Sequence, residues 1–142
     1  MRLLGLDIGD RKIGLAISDP LGITAQGLGV LVRGKLSDDI EKLLSLAGEY
    51  EVAGVVAGLP RRLDGSLGPQ ARKVADFVAL LEEKGLKVNL WDERFTTSAA
   101  ERILVQADVR RKKRHAVVDK LAAVMILQSY LDNLAKPGNA QT

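Results

Sequence analysis

The sequence predicts a mixed α/β domain, and three observations carry that. Three strand-like segments follow one another at the N-terminus: Leu3–Gly9, Lys12–Ser18 and Ala25–Val32. Two further apolar runs, Val52–Leu59 and Lys87–Trp91, each follow an amphipathic helical stripe. Two helical segments then close the chain, giving the order β-β-β-α-β-α-β-α-α. Such an order implies a meander of three strands, then parallel strands joined by crossover helices.

The first segment, Leu3-Leu4-Gly5-Leu6-Asp7-Ile8-Gly9, reads as a strand buried on both faces. Asp10-Arg11 fits a tight hairpin turn into the second, where Ile13, Leu15 and Ile17 alternate with smaller or polar residues. Asp38, with Glu41 three residues on, is the expected N-cap of a helix whose stripe is Ile40, Leu43, Leu44 and Ala47. Pro60 ends the fourth strand, and a turn-rich loop runs to Gly68. Pro69 suits a first helical position; Val74, Phe77, Val78 and Leu81 form the buried stripe, and Gly85 stops the helix. Thr97 or Ser98 caps the next helix, with Glu101 completing a box with Ser98. The last helix is expected at about Ala116–Leu134. Residues 1–135 therefore read as a single domain and 136–142 as a flexible tail.

Length and composition narrow the chemistry. A chain of 142 residues is one domain, able to bury roughly two-thirds of its unfolded surface without staples. It has no cysteine, which excludes disulfides, thiolate zinc sites and cysteine nucleophiles. Its one histidine, His115, rules out paired-imidazole catalysis and multi-histidine metal sites. No segment approaches the ~20 continuous apolar residues of a membrane span, and the N-terminus is a strand pattern rather than a leader. A soluble, cytoplasmic protein is expected, with no membrane partner. The net charge of +3 is a weak pointer to anionic partners.

Two nucleotide-binding look-alikes fail. Gly29-Val30-Leu31-Val32-Arg33-Gly34-Lys35 has phosphate-loop spacing, but Leu36 stands where a hydroxyl residue is required. Gly27-x-Gly29 has no third glycine for a dinucleotide fingerprint.

Three acidic positions are harder to dismiss. Asp7 interrupts a buried strand, where an isolated carboxylate needs a cation. Arg11 or Lys12 in the adjoining hairpin could supply one. Asp92-Glu93 ends a strand, and alternation sends the two side chains to opposite sides. Asp119 sits on a nearly all-apolar helix beside Ala122, Ala123 and Ile126. Crowded carboxylates repel, so one would stay protonated unless a hard cation joined them. Mg²⁺ or Mn²⁺ fits, because such ions prefer oxygen ligands and keep open waters. Two ions roughly 4 Å apart can activate water against a phosphodiester without histidine or cysteine.

Basic residues fall beside these acids. Arg110, Arg111, Lys112, Lys113 and Arg114 precede the helix bearing Asp119. Arg61 and Arg62 lie in the long loop, Arg11 and Lys12 in the first turn, and Arg94 beside Glu93. Together they are the expected contacts to a nucleic-acid backbone. Five aromatic residues, with no exposed pair in the strand patterns, argue against base-stacking single-strand readers.

The motifs Gly5-Leu6-Asp7-Ile8-Gly9, Gly58-Leu59-Pro60 with Asp64-Gly65-Ser66, Asp92-Glu93-Arg94-Phe95-Thr96-Thr97, and Val118-Asp119-Lys120-x-Ala122-Ala123 occur in that order. With them the chain resembles, over nearly its full length, the YqgF (RuvX) family of pre-16S rRNA nucleases, also called Holliday-junction resolvase-like proteins. The resemblance implies a ribonuclease-H-like fold: a five-stranded mixed sheet, its first three strands antiparallel, with helices on both faces. It implies a cytoplasmic protein acting at the 5′ end of 16S rRNA, with Asp7, Glu93 and Asp119 as catalytic metal ligands and Asp92 as the alternative to Glu93. Structured RNA is favoured over DNA junctions, and the protein is expected as a monomer or weak homodimer. The alternatives are a Holliday junction resolvase, a non-catalytic RNA-binding assembly module, and an actin-like ATPase. The last needs two such domains around a nucleotide, and this chain provides one.

Overall fold

The structure, a computed structural model, describes residues 1–95 and 114–136; of 114–120 it describes the helical backbone alone. The expected cap at Thr97 or Ser98, the run Arg110–Lys113 and the segment 137–142 lie outside the described residues.

Five strands form one mixed sheet in the order β3-β2-β1-β4-β5. They are β1 (Leu3–Ile8), β2 (Lys12–Ser18), β3 (Ala25–Val32), β4 (Gly54–Leu59) and β5 (Val88–Asp92). The first three pair antiparallel; β4 joins β1 in parallel and β5 joins β4 in parallel. The helices are α1 (Leu36–Glu49), α2 (Pro69–Glu83) and α3 (Arg114–Ala135), with a 3-10 turn at Glu93–Phe95. The meander followed by crossovers is therefore as the sequence order implied.

Alternation along the strands sorts the core into two layers. Leu4, Leu6 and Ile8 of β1, Ile13, Leu15 and Ile17 of β2, and Val55, Ala57 and Leu59 of β4 face α1 and α2. Ala16 and Val56 face α3, through Ala123, Ile126, Leu127 and Leu131. Helix α3 comes very close to the sheet because Gly5 has no side chain. A Cβ there would lie 2.8 Å from Leu127 Cβ and 3.3 Å from the Ala123 carbonyl oxygen.

Helix α2 starts at Pro69, as expected, and ends before Gly85, whose φ of 98° suits the left-handed stop. Helix α1 differs from expectation. It begins at Leu36 behind Lys35, and Asp38 is not its N-cap. Asp39, fully buried, instead reaches back to accept the Gly34 N–H at 3.0 Å and the Arg33 guanidinium at 3.3 Å. Asp39 thus ties down the segment ahead of the helix rather than capping it, and Arg33 accounts for its burial.

Candidate functional site

Asp7 is placed by strand alternation. Leu6 and Ile8 point toward α1 and α2, so Asp7 points to the face that α3 covers. Its neighbours across the sheet have no side chains. Gly14 of β2 is its paired residue. The β1–β4 register ends at Leu6↔Ala57, and one step further brings Gly58 beside Asp7.

Gly58 leaves room that Glu93 uses. A Cβ at residue 58 would lie 2.9 Å from Glu93 Cγ and 2.5 Å from Ile126 Cδ1. Glu93 therefore lies back across the end of β4, on the same face as Asp7. Its carboxyl is pushed up to about 7, chiefly by burial, then by the negative charges of Asp7 and Asp92. Asp7 and Glu93 are thus brought within electrostatic reach of each other.

Asp92 is engaged elsewhere. Trp91 faces α3, donating its indole N–H to Ser129 Oγ at 3.0 Å, so Asp92 leaves the strand on the other side. Its carboxylate accepts the Arg94 backbone N–H at 2.9 Å and the Arg94 guanidinium at 2.6 Å. Arg94 holds the Asp92 carboxyl below the usual range, with Arg61, at 3.8 Å, adding to it. The strand-end pair is therefore split: Asp92 to the arginines, Glu93 toward Asp7.

Asp119 belongs to the α3 backbone, four residues before Ala123; its side chain lies outside the described residues. Among the described residues no three acidic or histidine side chains form a metal-binding group. Asp7 and Glu93 supply two carboxylates, and a hard cation needs further oxygens from elsewhere.

The basic residues divide as well. Arg11, in the β1–β2 turn, and Lys12, the first residue of β2, are exposed. Arg61 donates to the Gly65 carbonyl at 2.9 Å, and the Arg62 guanidinium packs against Gly68. Arg94 is committed to Asp92 and the Leu63 carbonyl. The side chain of Arg114, at the start of α3, is outside the described residues. Phe95 is exposed and stacks obliquely on half-buried Trp91, ring centroids 5.4 Å apart. One aromatic ring thus reaches solvent beyond the strand, where the alternation pattern could not show it.

Sequence reasoning missed two supports of the site. Gly58 was visible as a glycine inside an apolar strand, a signal of close approach by another group. Arg33 was not. It donates to the Gly9 carbonyl at 2.8 Å, lies 5.0 Å over the Phe77 ring and binds Asp39. It thereby fixes the turn two residues beyond Asp7.

A five-stranded mixed sheet in the order β3-β2-β1-β4-β5, its first three strands antiparallel and helices on both faces, is a ribonuclease-H-like fold. The chain overlays on Thermus thermophilus RuvC in complex with a Holliday junction substrate, with a TM-score of 0.65 at 16% identity over 98% of each chain. The fowlpox virus Holliday junction resolvase matches at a TM-score of 0.55 and 15% identity, over 94% of this chain and 99% of that one. These likenesses concern the fold. Closer relatives are 51% identical: a "Putative pre-16S rRNA nuclease" of Clostridium botulinum, over 96% of this chain and all of the relative, and one of Halothermothrix orenii, over 93% and 95%. Residues 1–133 match the family model RuvX, described as Holliday junction resolvase. The chain belongs to the RuvX family.

Proposed function

We propose that this protein is a metal-dependent nuclease that hydrolyses phosphodiester bonds in structured RNA, with the 5′ end of pre-16S rRNA as its substrate. The carrying observation is the meeting of Asp7 and Glu93 on one sheet face, where burial first and the Asp7 charge second push the Glu93 carboxyl up to about 7. Such a pair is unfavourable alone and favourable around a cation. The curated relatives' names support the rRNA substrate. A cytoplasmic location follows from that substrate. No helix among the described residues is long and apolar enough to cross a membrane.

The donor set fits Mg²⁺ or Mn²⁺: carboxylate oxygens, partly buried, with mutual repulsion that a divalent cation reverses. Asp7, Glu93 and Asp119 are the proposed ligands, Glu93 rather than Asp92 because Asp92 is occupied by Arg94. Bound there, one or two ions would polarise the phosphodiester and lower the pKa of the attacking water. The chain's own part is to orient the carboxylates. Gly58 leaves the space that Glu93 fills, Arg33 steadies the turn after Asp7, and Arg61, Arg62, Arg11, Lys12 and the Arg110–Arg114 run attract the phosphate backbone.

The test is cleavage of a pre-16S 5′-leader RNA beside a four-way DNA junction, by wild type and Asp7→Asn. Mg²⁺-dependent cutting of the RNA, lost in Asp7→Asn with the fold intact, is the expected result. Full residual activity in the variant would remove the proposal. The family description favours the junction as a second substrate. Symmetric cutting of it would require two active sites, hence a dimer.

A further inference from the structure

Glu93 stands between two residues that bind each other. The Asp92 carboxylate accepts the Arg94 backbone N–H, closing a ring around the Glu93 peptide, and also holds the Arg94 guanidinium through Nε at 2.9 Å and Nη2 at 2.6 Å. The third guanidinium nitrogen, Nη1, donates to the Leu63 carbonyl at 3.3 Å, in the Pro60–Gly68 loop. Arg61 approaches the same carboxylate at 3.8 Å while donating to the Gly65 carbonyl. Residue 65 brings the loop tip beside Arg94, and its backbone rather than its lack of a side chain calls for glycine. A Cβ there would lie 3.4 Å from Arg94 Nη1, and its φ of 88° suits glycine.

We propose that Asp92 and Arg94 form a latch that couples the Pro60–Gly68 loop to the orientation of Glu93. They are positioning residues, not a metal ligand and a phosphate contact. All three Arg94 guanidinium nitrogens are engaged within the protein. The Asp92 side chain is only 14% exposed and already satisfied by charge-assisted bonds. Arg61 differs: its contact to Asp92 is longer, 3.8 Å against 2.6 Å for Arg94. The loop that carries Arg61 and Arg62 is thereby anchored on the residues flanking Glu93. Engagement of a phosphate backbone by the loop and presentation of Glu93 are set by one contact. The role of Glu93 rests on the nuclease reading above; the hold on the loop does not.

Two variants of the full chain test this. Lysine at 94 can still pair with Asp92 but cannot also reach Leu63 with a planar fork. Asparagine at 92 can accept the Arg94 N–H but not the two guanidinium charges. Trypsin cutting after Arg61 and Arg62, mapped by mass spectrometry, reads the loop, and Mn²⁺ titration calorimetry reads Glu93. Arg94→Lys is expected to cut roughly tenfold faster at Arg61 and Arg62 and to bind Mn²⁺ roughly tenfold more weakly. Asp92→Asn is expected to change both in the same direction, and serves alone if Arg94→Lys does not fold. Cutting at the wild-type rate in the variants would overturn the latch. Faster cutting with unchanged Mn²⁺ affinity would overturn the coupling. If the wild type binds no Mn²⁺, the nuclease reading has failed, and trypsin alone decides the hold on the loop.

Discussion

Glu93 occupies the space that Gly58 leaves open on the sheet, with its Cγ 2.9 Å from where a Cβ on residue 58 would stand. Glu93 follows β5 and Gly58 belongs to β4, so the position of the acid depends on a residue of another strand that is not itself acidic. Gly58→Ala should push Glu93 and Ile126 aside. Overpacking of this kind costs about 1–3 kcal/mol of stability. Mn²⁺ affinity should fall at least about tenfold, as when the supports of metal ligands are lost. Calorimetry beside chemical denaturation checks both; unchanged affinity would mean that Glu93 does not need that space.

The acid pair also predicts how stability depends on pH. Glu93 titrates near 7 in the folded chain, against an ordinary 4.5. The folded state therefore binds more protons than the unfolded state between those values. Its contribution is fully present below about 4.5 and is lost as pH rises through about 7. Without divalent ions, thermal midpoints attributable to this group should fall from pH 5 to pH 8, and Glu93→Gln should flatten that fall. Mn²⁺ should oppose it, because a bound cation favours the ionised carboxylate. A Glu93→Gln profile parallel to wild type would show that Glu93 is not the titrating group.

Arg33 and Asp39 make a stability prediction away from the acids. Asp39 is fully buried and holds both Arg33 and the Gly34 N–H. Asp39→Ala should cost about 3 kcal/mol, near the lower end for breaking a buried pair, since Arg33 keeps the Gly9 carbonyl and the Phe77 ring. Asp39→Asn, which can still accept the Gly34 N–H, should cost less. Urea denaturation of the two variants orders them.

Phosphate contact has its own signature. Arg61→Ala should weaken RNA binding and lower the salt slope by about one. Binding isotherms at several salt concentrations read that slope. Equal slopes for wild type and Arg61→Ala would remove Arg61 from the backbone contacts.

Much of this was legible in residue order. The β1–β2 hairpin at Asp10-Arg11, the Pro69 start and Gly85 stop of α2, and the three-strand meander all follow from periodicity and turn chemistry. Asp7 stood out because a charge inside a buried strand has few explanations. What alternation left open was which of Asp92 and Glu93 faces it. That choice depends on Trp91 packing against Ser129 and on Arg94 folding back to Asp92, both tertiary contacts. The start of α1 was misread for a related reason. Asp38 has the better capping spacing, but Asp39 has the partner, Arg33, which reaches it from the end of β3. Pattern reading sees spacing along the chain and not which side chain waits on the next element.

The most direct measurement of the central claim is a crystal structure grown with Mn²⁺ and recorded at the manganese absorption edge. An anomalous peak about 2.1–2.3 Å from carboxylate oxygens of both Asp7 and Glu93 is the expected result. Asp92 should remain on Arg94 in that structure. Manganese bound by only one of the two acids, or absent from between them, would contradict it.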